Sequence, residues 1–133
     1  MSEGESEAPS AFSLVGGEAA VRALVDRFYD LMDLEPAYAG LRALHPTTLE
    51  GSRDKLYWFL CGWLGGPDLY QQRFGHPRLR ARHLPYAIGT SERDQWMACM
   101  KQAMAECGVD AAMATRLGGS FFNTADWMRN RQG

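Results

Sequence analysis

The chain has 133 residues, enough for one domain with a hydrophobic core and room for a small-molecule pocket. Its formal charge of -2, with acids and bases interspersed, offers no basic footprint for nucleic acid or an anionic membrane, and no apolar run approaches a membrane span. The acidic start Met1-Ser2-Glu3-Gly4-Glu5 lacks the basic opening of a signal peptide, so a cytoplasmic protein is expected. Cys61, Cys99 and Cys107 are odd in number, form no Cys-x-x-Cys and fall within helical patterns. They read as small core residues rather than as a disulfide framework or zinc site.

Residues 1–11 are polar, Ser/Glu-rich and interrupted by Pro9, the composition of a disordered tail, and 12–133 form a single domain. After Gly16-Gly17, the spacing of Val21, Leu24, Val25, Phe28, Leu31 and Met32 predicts an amphipathic helix with Tyr29 at the margin of its buried stripe. Pro36 and Gly40 end it, leaving at most a short turn over residues 41–44 before His45-Pro46. A second helix runs from about Leu49 to Leu64, with Leu56, Phe59, Leu60, Trp63 and Leu64 on one face, and Gly65-Gly66-Pro67 stops it. Residues 68–82 read as irregular, with one helical turn around Leu69 and Tyr70 and a basic run of Arg78, Arg80 and Arg82. That run is either a solvated face or a clamp for carboxylates.

Ser91 and Asp94 have the form of a capping pair for a third helix that buries Trp96, Met97, Met100, Met104 and Cys107 before Gly108. Asp110 is placed to cap a fourth, with Met113, Leu117, Phe121 and Met128 on its inner face. Gly118-Gly119 inside that helix costs about 1 kcal/mol per residue relative to alanine, which a close-passing backbone or a flat ligand would explain. No alternating strand pattern, repeat or phosphate-binding glycine loop occurs. The fold is all-α.

Pro85 steers the preceding residue out of the helical region, which puts His83 on the last turn of a short helix. Its ring is either a hydrogen-bonded core imidazole or an axial ligand for iron. Hydrolytic chemistry finds no nucleophile turn and no inward-facing pair of carboxylates. A carboxylate-bridged di-iron bundle finds no Glu-x-x-His, since none of His45, His76 and His83 has a glutamate three residues before it.

The runs Phe28-Tyr29, Leu64-Gly65-Gly66-Pro67, Gly75-His76-Pro77-Arg78-Leu79-Arg80, Arg82-His83-x-Pro85-Tyr86-x-Ile88 and Glu92-Arg93-Asp94-x-Trp96 together resemble the group II truncated haemoglobins of bacteria. The resemblance extends from about Phe12 to Met128. It implies a truncated-globin fold, a two-over-two α-helical sandwich enclosing haem b (iron protoporphyrin IX), with His83 as the axial iron ligand. It further implies Tyr29 and Trp96 as distal donors to a ligand that gains negative charge, each worth about 1.5–3 kcal/mol. His45 stands where the family often carries tyrosine or phenylalanine, and is expected to donate to the ligand, to titrate near neutral pH or to approach the iron. Ser52 and Leu56 match the distal gate. Lys55, Tyr70 and Arg82 match positions near the haem propionates, and Phe59, Leu79, Tyr86, Ile88 and Met100 match haem contacts.

The implied function is tight retention of dioxygen, with nitric oxide, carbon monoxide and possible peroxide or sulfide as further ligands. Redox chemistry on the ligand, sensing or detoxification suits such a site better than bulk oxygen transport. Pseudo-peroxidase or nitric oxide dioxygenase turnover would need an external reductase. The expected state is a monomer or weak homodimer. The alternative is a globin-shaped interaction or sensor module without haem catalysis, separated from the first by whether the purified protein carries a Soret band.

Overall fold

A computed structural model describes residues 10–131, which form eight α-helices and one 3-10 turn, with no strand among the described residues. Of the tail expected over 1–11, residues 1–9 lie outside the described residues. Ser10 and Ala11 belong to the domain: the Ser10 hydroxyl accepts from the Ser13 N–H at 3.1 Å and caps α1 (Ala11–Val15), a helix the hydrophobic pattern does not announce. Gly16, at φ 117°, turns the chain into α2 (Gly17–Leu34).

The stripe predicted for α2 is buried as expected, and Tyr29 lies inside it, not at its margin, with only 6% of its surface exposed. Glu35 adopts the extended backbone that the following proline demands, which ends α2. A 3-10 turn (Pro36–Tyr38) and α3 (Ala39–Arg42) then lead to His45. In α4 (Glu50–Trp63), Leu60 and Cys61 lie in the core, whereas Leu56, Phe59 and Trp63 are only partly covered.

The segment expected to be irregular contains two helices, α5 (Leu69–Phe74) and α6 (Leu79–His83). Gly75 at φ 77° and Arg78 at φ 48° both have positive-φ backbone in the bend that separates α5 from α6. His83 ends α6, as Pro85 implies.

The cap of α7 (Thr90–Glu106) is not the predicted Ser91–Asp94 pair. The Glu92 carboxylate reaches back to accept from the Gly89 N–H at 2.7 Å, while Ser91 accepts from Gln95 and Asp94 pairs with Arg93. A second correction concerns Cys107, which is exposed: it follows the last turn of α7, where the stripe has run past the core. Asp110 caps α8 (Ala111–Trp127) as predicted, accepting from the Met113 N–H. A Cβ on Gly118 or Gly119 would meet no atom within 4 Å, so no close-passing backbone explains that pair.

Two helix pairs make the sandwich, α2 with α4 and α7 with α8, and α2 also crosses α7. Phe28, Leu31, Met32, Leu60, Met100 and Met104 are the largest side chains sealed at the junction. Full burial of each contributes about 1.5–3 kcal/mol, which fixes the helices that carry the site. Among the described residues no helix is long and apolar enough to cross a membrane.

Candidate functional site

His83 is half-buried at the end of α6, and its Nδ1 lies 2.6 Å from the Leu79 carbonyl. A carbonyl only accepts, so Nδ1 carries the proton and Nε2 keeps a lone pair on the opposite edge of the ring. A histidine oriented this way through its other nitrogen is a prepared metal ligand. Among the described residues no three His, Cys, Asp or Glu side chains converge, so a metal here would need its remaining ligands from a prosthetic group.

Two polar-tipped rings meet Phe28, and a third meets one of them. Tyr29 meets Phe28 edge to face at 5.0 Å between centroids, and Trp96 of α7 lies 5.2 Å from Phe28 on another side. His45, in the loop after α3, meets Tyr29 edge to face at 5.8 Å. Phe121 of α8 backs Trp96 at 5.5 Å and stacks on Trp63 at 4.8 Å, so the indole is braced from two helices. His83 is near enough that its charge would lower the pKa of His45.

The electrostatics divide these groups by role. Burial raises the Tyr29 pKa well above the ordinary tyrosine range, so its hydroxyl stays protonated and able to donate. Neither that hydroxyl nor the Trp96 indole N–H is bonded to another group among the described residues, and neither is sealed from solvent, because no fully buried side-chain polar atom there lacks a partner. His45 donates its Nδ1–H to the Leu41 carbonyl at 2.9 Å, and burial lowers its pKa below the usual 6.5. The expectation that neutral His45 donates to a ligand therefore does not follow from this geometry: its single N–H is committed, and Nε2 offers an acceptor.

Arg53 has no role in the sequence reading but supports Tyr29 directly. Its guanidinium lies over the Tyr29 ring, 5.9 Å from the centroid, and is tied to Asp30 at 2.7 Å and to the Asp26 carbonyl at 3.0 Å. Burial alone would lower its pKa, but the hydrogen bonds and charges of Asp30 and Asp26 together raise it. The available signal was Asp26 and Asp30 one turn apart on α2, which fixes a cation only once α4 lies alongside. Phe121 and Trp63 were legible as core aromatics and not as braces for Trp96.

The other predicted residues divide by exposure. Ser52, Leu56, Phe59 and Leu79 are partly buried, while Lys55 and Arg82 are exposed cations. Tyr70 is buried against Phe59 at 6.4 Å, with the Arg82 guanidinium 6.0 Å over its ring. Ile88 is buried, but Tyr86 is 44% exposed, and Met100 is sealed in the core with no free surface. Of the arginine run, Arg80 is neither a free clamp nor simply solvated: it donates to the carbonyls of Trp127 and Arg129 at the end of α8. These residues fit a haem. The set supplies one imidazole nitrogen with a free lone pair, two donors bonded to no other group, the partly buried apolar side chains of Leu56, Phe59 and Leu79, and exposed cations at Lys55 and Arg82.

A family model described as bacterial-like globin matches residues 10–130. The chain is 39% identical over 115 residues to the group 2 truncated haemoglobin YjbI of Bacillus subtilis, covering 86% of this chain and 85% of that one. Among solved structures, it is similar to the group II 2-on-2 haemoglobin of Agrobacterium tumefaciens, with a TM-score of 0.91 at 42% identity, covering 96% of this chain and 98% of that one. It is also similar to a truncated oxygen-avid haemoglobin from Bacillus subtilis, with a TM-score of 0.84 at 36% identity, covering 92% of this chain and all of that one. Fold and these matches agree: the chain belongs to the bacterial-like globin family as a group II truncated, two-on-two haemoglobin, and so to the haem proteins that bind diatomic gases such as dioxygen.

Proposed function

We propose that the chain holds haem b through His83 Nε2 and retains dioxygen tightly, using Tyr29 and Trp96 as donors. The observation that carries this is the pair of unpartnered donors on two rings in contact with Phe28. A hydrogen bond from either donor to a ligand that gains negative charge is charge-assisted and contributes about 1.5–3 kcal/mol to its retention. Bound haem supplies an iron position for the gas and one-electron chemistry at that position.

The chain's own residues do the rest. Leu79 fixes the tautomer of His83 through its carbonyl. Arg53 and Phe28 hold the Tyr29 ring between them. Neutral His45 has no N–H left for a ligand, and protonated His45 becomes a third donor. Leu56 and Ser52 control entry, and Lys55 and Arg82 pair with the propionates.

Convergent donors slow release, which suits redox work on the ligand, such as peroxide or nitric oxide detoxification, or sensing, rather than bulk transport. Turnover would draw electrons from an external reductase, and the protein would act in the cytoplasm as a monomer or weak homodimer. The solved Bacillus subtilis relative described as oxygen-avid supports the retention reading by likeness. The test is the absorption spectrum of the purified protein. A Soret band that disappears in His83→Ala is expected, and a colourless wild type that haem does not titrate would end this reading in favour of a haem-free module.

A further inference from the structure

The helix that carries His83 has only five residues, and none of them is buried. A helix that short does not hold itself together in water, and without a buried face the core cannot aim it. Its position comes instead from side-chain hydrogen bonds to the far end of the chain. Arg80 donates to the Trp127 and Arg129 carbonyls at 3.1 and 3.2 Å, which ties the middle of α6 to the end of α8.

Asn130 completes the attachment at the histidine itself. Its Nδ2 donates to the carbonyl of His83 at 3.2 Å and to that of Tyr86 at 2.8 Å. Its Oδ1 accepts from the Ile88 N–H at 3.0 Å, and its own N–H donates to the Ile88 carbonyl at 2.8 Å. The two carbonyls can only accept and the Ile88 N–H can only donate, so the amide has one possible orientation and every hydrogen on it is used. No other amino acid of this size offers two donors and an acceptor on one planar group. Aspartate, the same shape, would turn an oxygen towards two carbonyl oxygens.

We propose that Asn130 is a positioning residue for the axial histidine: it fixes the backbone of His83 from outside α6, while Leu79 fixes the ring from within. The proposal rests on the haem reading above. Without Asn130, the His83 carbonyl keeps only the Tyr86 N–H at 3.0 Å, a bond within its own loop that cannot anchor α6 to anything else. The imidazole would then sit further from the iron on average and over a wider range.

The experiment compares haem-loaded wild type, Asn130→Ala and Asn130→Asp in the ferrous, ligand-free form. The readouts are the iron–histidine stretching band by resonance Raman and the rate of haem transfer to excess apomyoglobin. A band moved to lower frequency and broadened, with haem transfer roughly tenfold faster in both variants, is the expected result. Thermal midpoints lowered in both with the band and transfer rate unchanged would mean that Asn130 only stabilises the fold, and would overturn the proposal. A wild type without a Soret band would instead end the haem reading, so the two failures are distinct. If neither variant loads haem, hydrogen exchange on the loaded wild type decides. Protection of the Ile88 and Asn130 amides comparable to the interior of α8 supports the clamp, and exchange at the rate of open chain overturns it.

Discussion

Tyr29 and His45 meet edge to face with ring centroids 5.8 Å apart, and the histidine has already committed its one N–H to the Leu41 carbonyl. Neutral His45 therefore has no N–H left for a ligand, and only the protonated ring has a second one to offer. Burial lowers its pKa, so the change falls on the acid side of about 6.5. Dioxygen release is expected to be flat above that pH and to slow as pH falls below it, because protonation adds a donor. Stopped-flow dissociation of wild type and His45→Leu across this range checks it; identical profiles would remove His45 from ligand retention. The same shift has a stability sign. Its contribution is fully present above the unfolded value and is lost as pH drops through the lower folded value.

Tyr29 and Trp96 donate from different helices, α2 and α7, so either can be deleted while the other stays in place. Each charge-assisted bond contributes about 1.5–3 kcal/mol, which translates to a roughly tenfold to hundredfold change in retention. Tyr29→Phe and Trp96→Phe should each release dioxygen faster by that factor. Tyr29→Phe keeps its ring on Phe28, so its thermal midpoint should hardly move, whereas Trp96→Phe shortens a ring packed on Phe28 and Phe121 and should lower it. Three indistinguishable dissociation rates would defeat the retention argument while leaving haem binding intact.

The residues that could be placed from sequence are those whose environment is made within one element. The apolar spacing of α2 and α8 is a local repeat, and Pro85 ends α6 at His83 by a steric effect on its neighbours. What could not be read depends on partners distant in the chain. Arg53 takes its role from Asp26 and Asp30 on another helix, and Asn130 from carbonyls and an N–H 42 to 47 residues earlier. The cap of α7 was misplaced because Gly89 has no side chain to advertise it, and the capping oxygen comes back from Glu92. Cys107 continues the α7 spacing one turn beyond the point where another helix covers it.

The absence of a side chain at Gly66 is what lets α1 dock. A Cβ there would stand 2.5 Å from Phe12 Cγ, and the Phe12 N–H donates to the Leu64 carbonyl at 2.8 Å, one of the carbonyls left open at the end of α4. Gly66→Ala should cost about 1–3 kcal/mol through overpacking, read from urea midpoints. In a Phe12→Ala background the ring is gone, and the same substitution should cost little. A penalty of equal size in both backgrounds would place its origin in the Gly66 backbone instead of in the contact with Phe12.

Asp126 joins the two ends of the second helix pair. Its Oδ1 accepts from Arg93 Nη1 of α7 at 2.8 Å and from Arg129 Nε at 2.9 Å, just before the Asn130 attachment. The hydrogen bond from Arg93 holds the carboxyl below the usual aspartate range, with the Arg129 charge acting in the same direction and desolvation opposing both. A carboxyl whose folded pKa lies below its unfolded pKa favours the native state once it is ionised in both states. That stability is complete above the ordinary aspartate range of about 4 and is lost as pH falls through the depressed value. Wild type should therefore lose more stability than Asp126→Asn when urea midpoints are compared near neutral pH and near pH ~3, with Glu106, also held below the usual carboxylate range by Gln102 and Arg27, common to both proteins. Because Arg129 and Asn130 are adjacent, acidification that frees Arg129 should also loosen the attachment of α6, so haem transfer to apomyoglobin should accelerate over the same pH interval in wild type. In Asp126→Asn that acceleration should be absent or smaller. Equal acid losses and equal transfer rates in the two proteins would mean that this ion pair carries no part of the acid response.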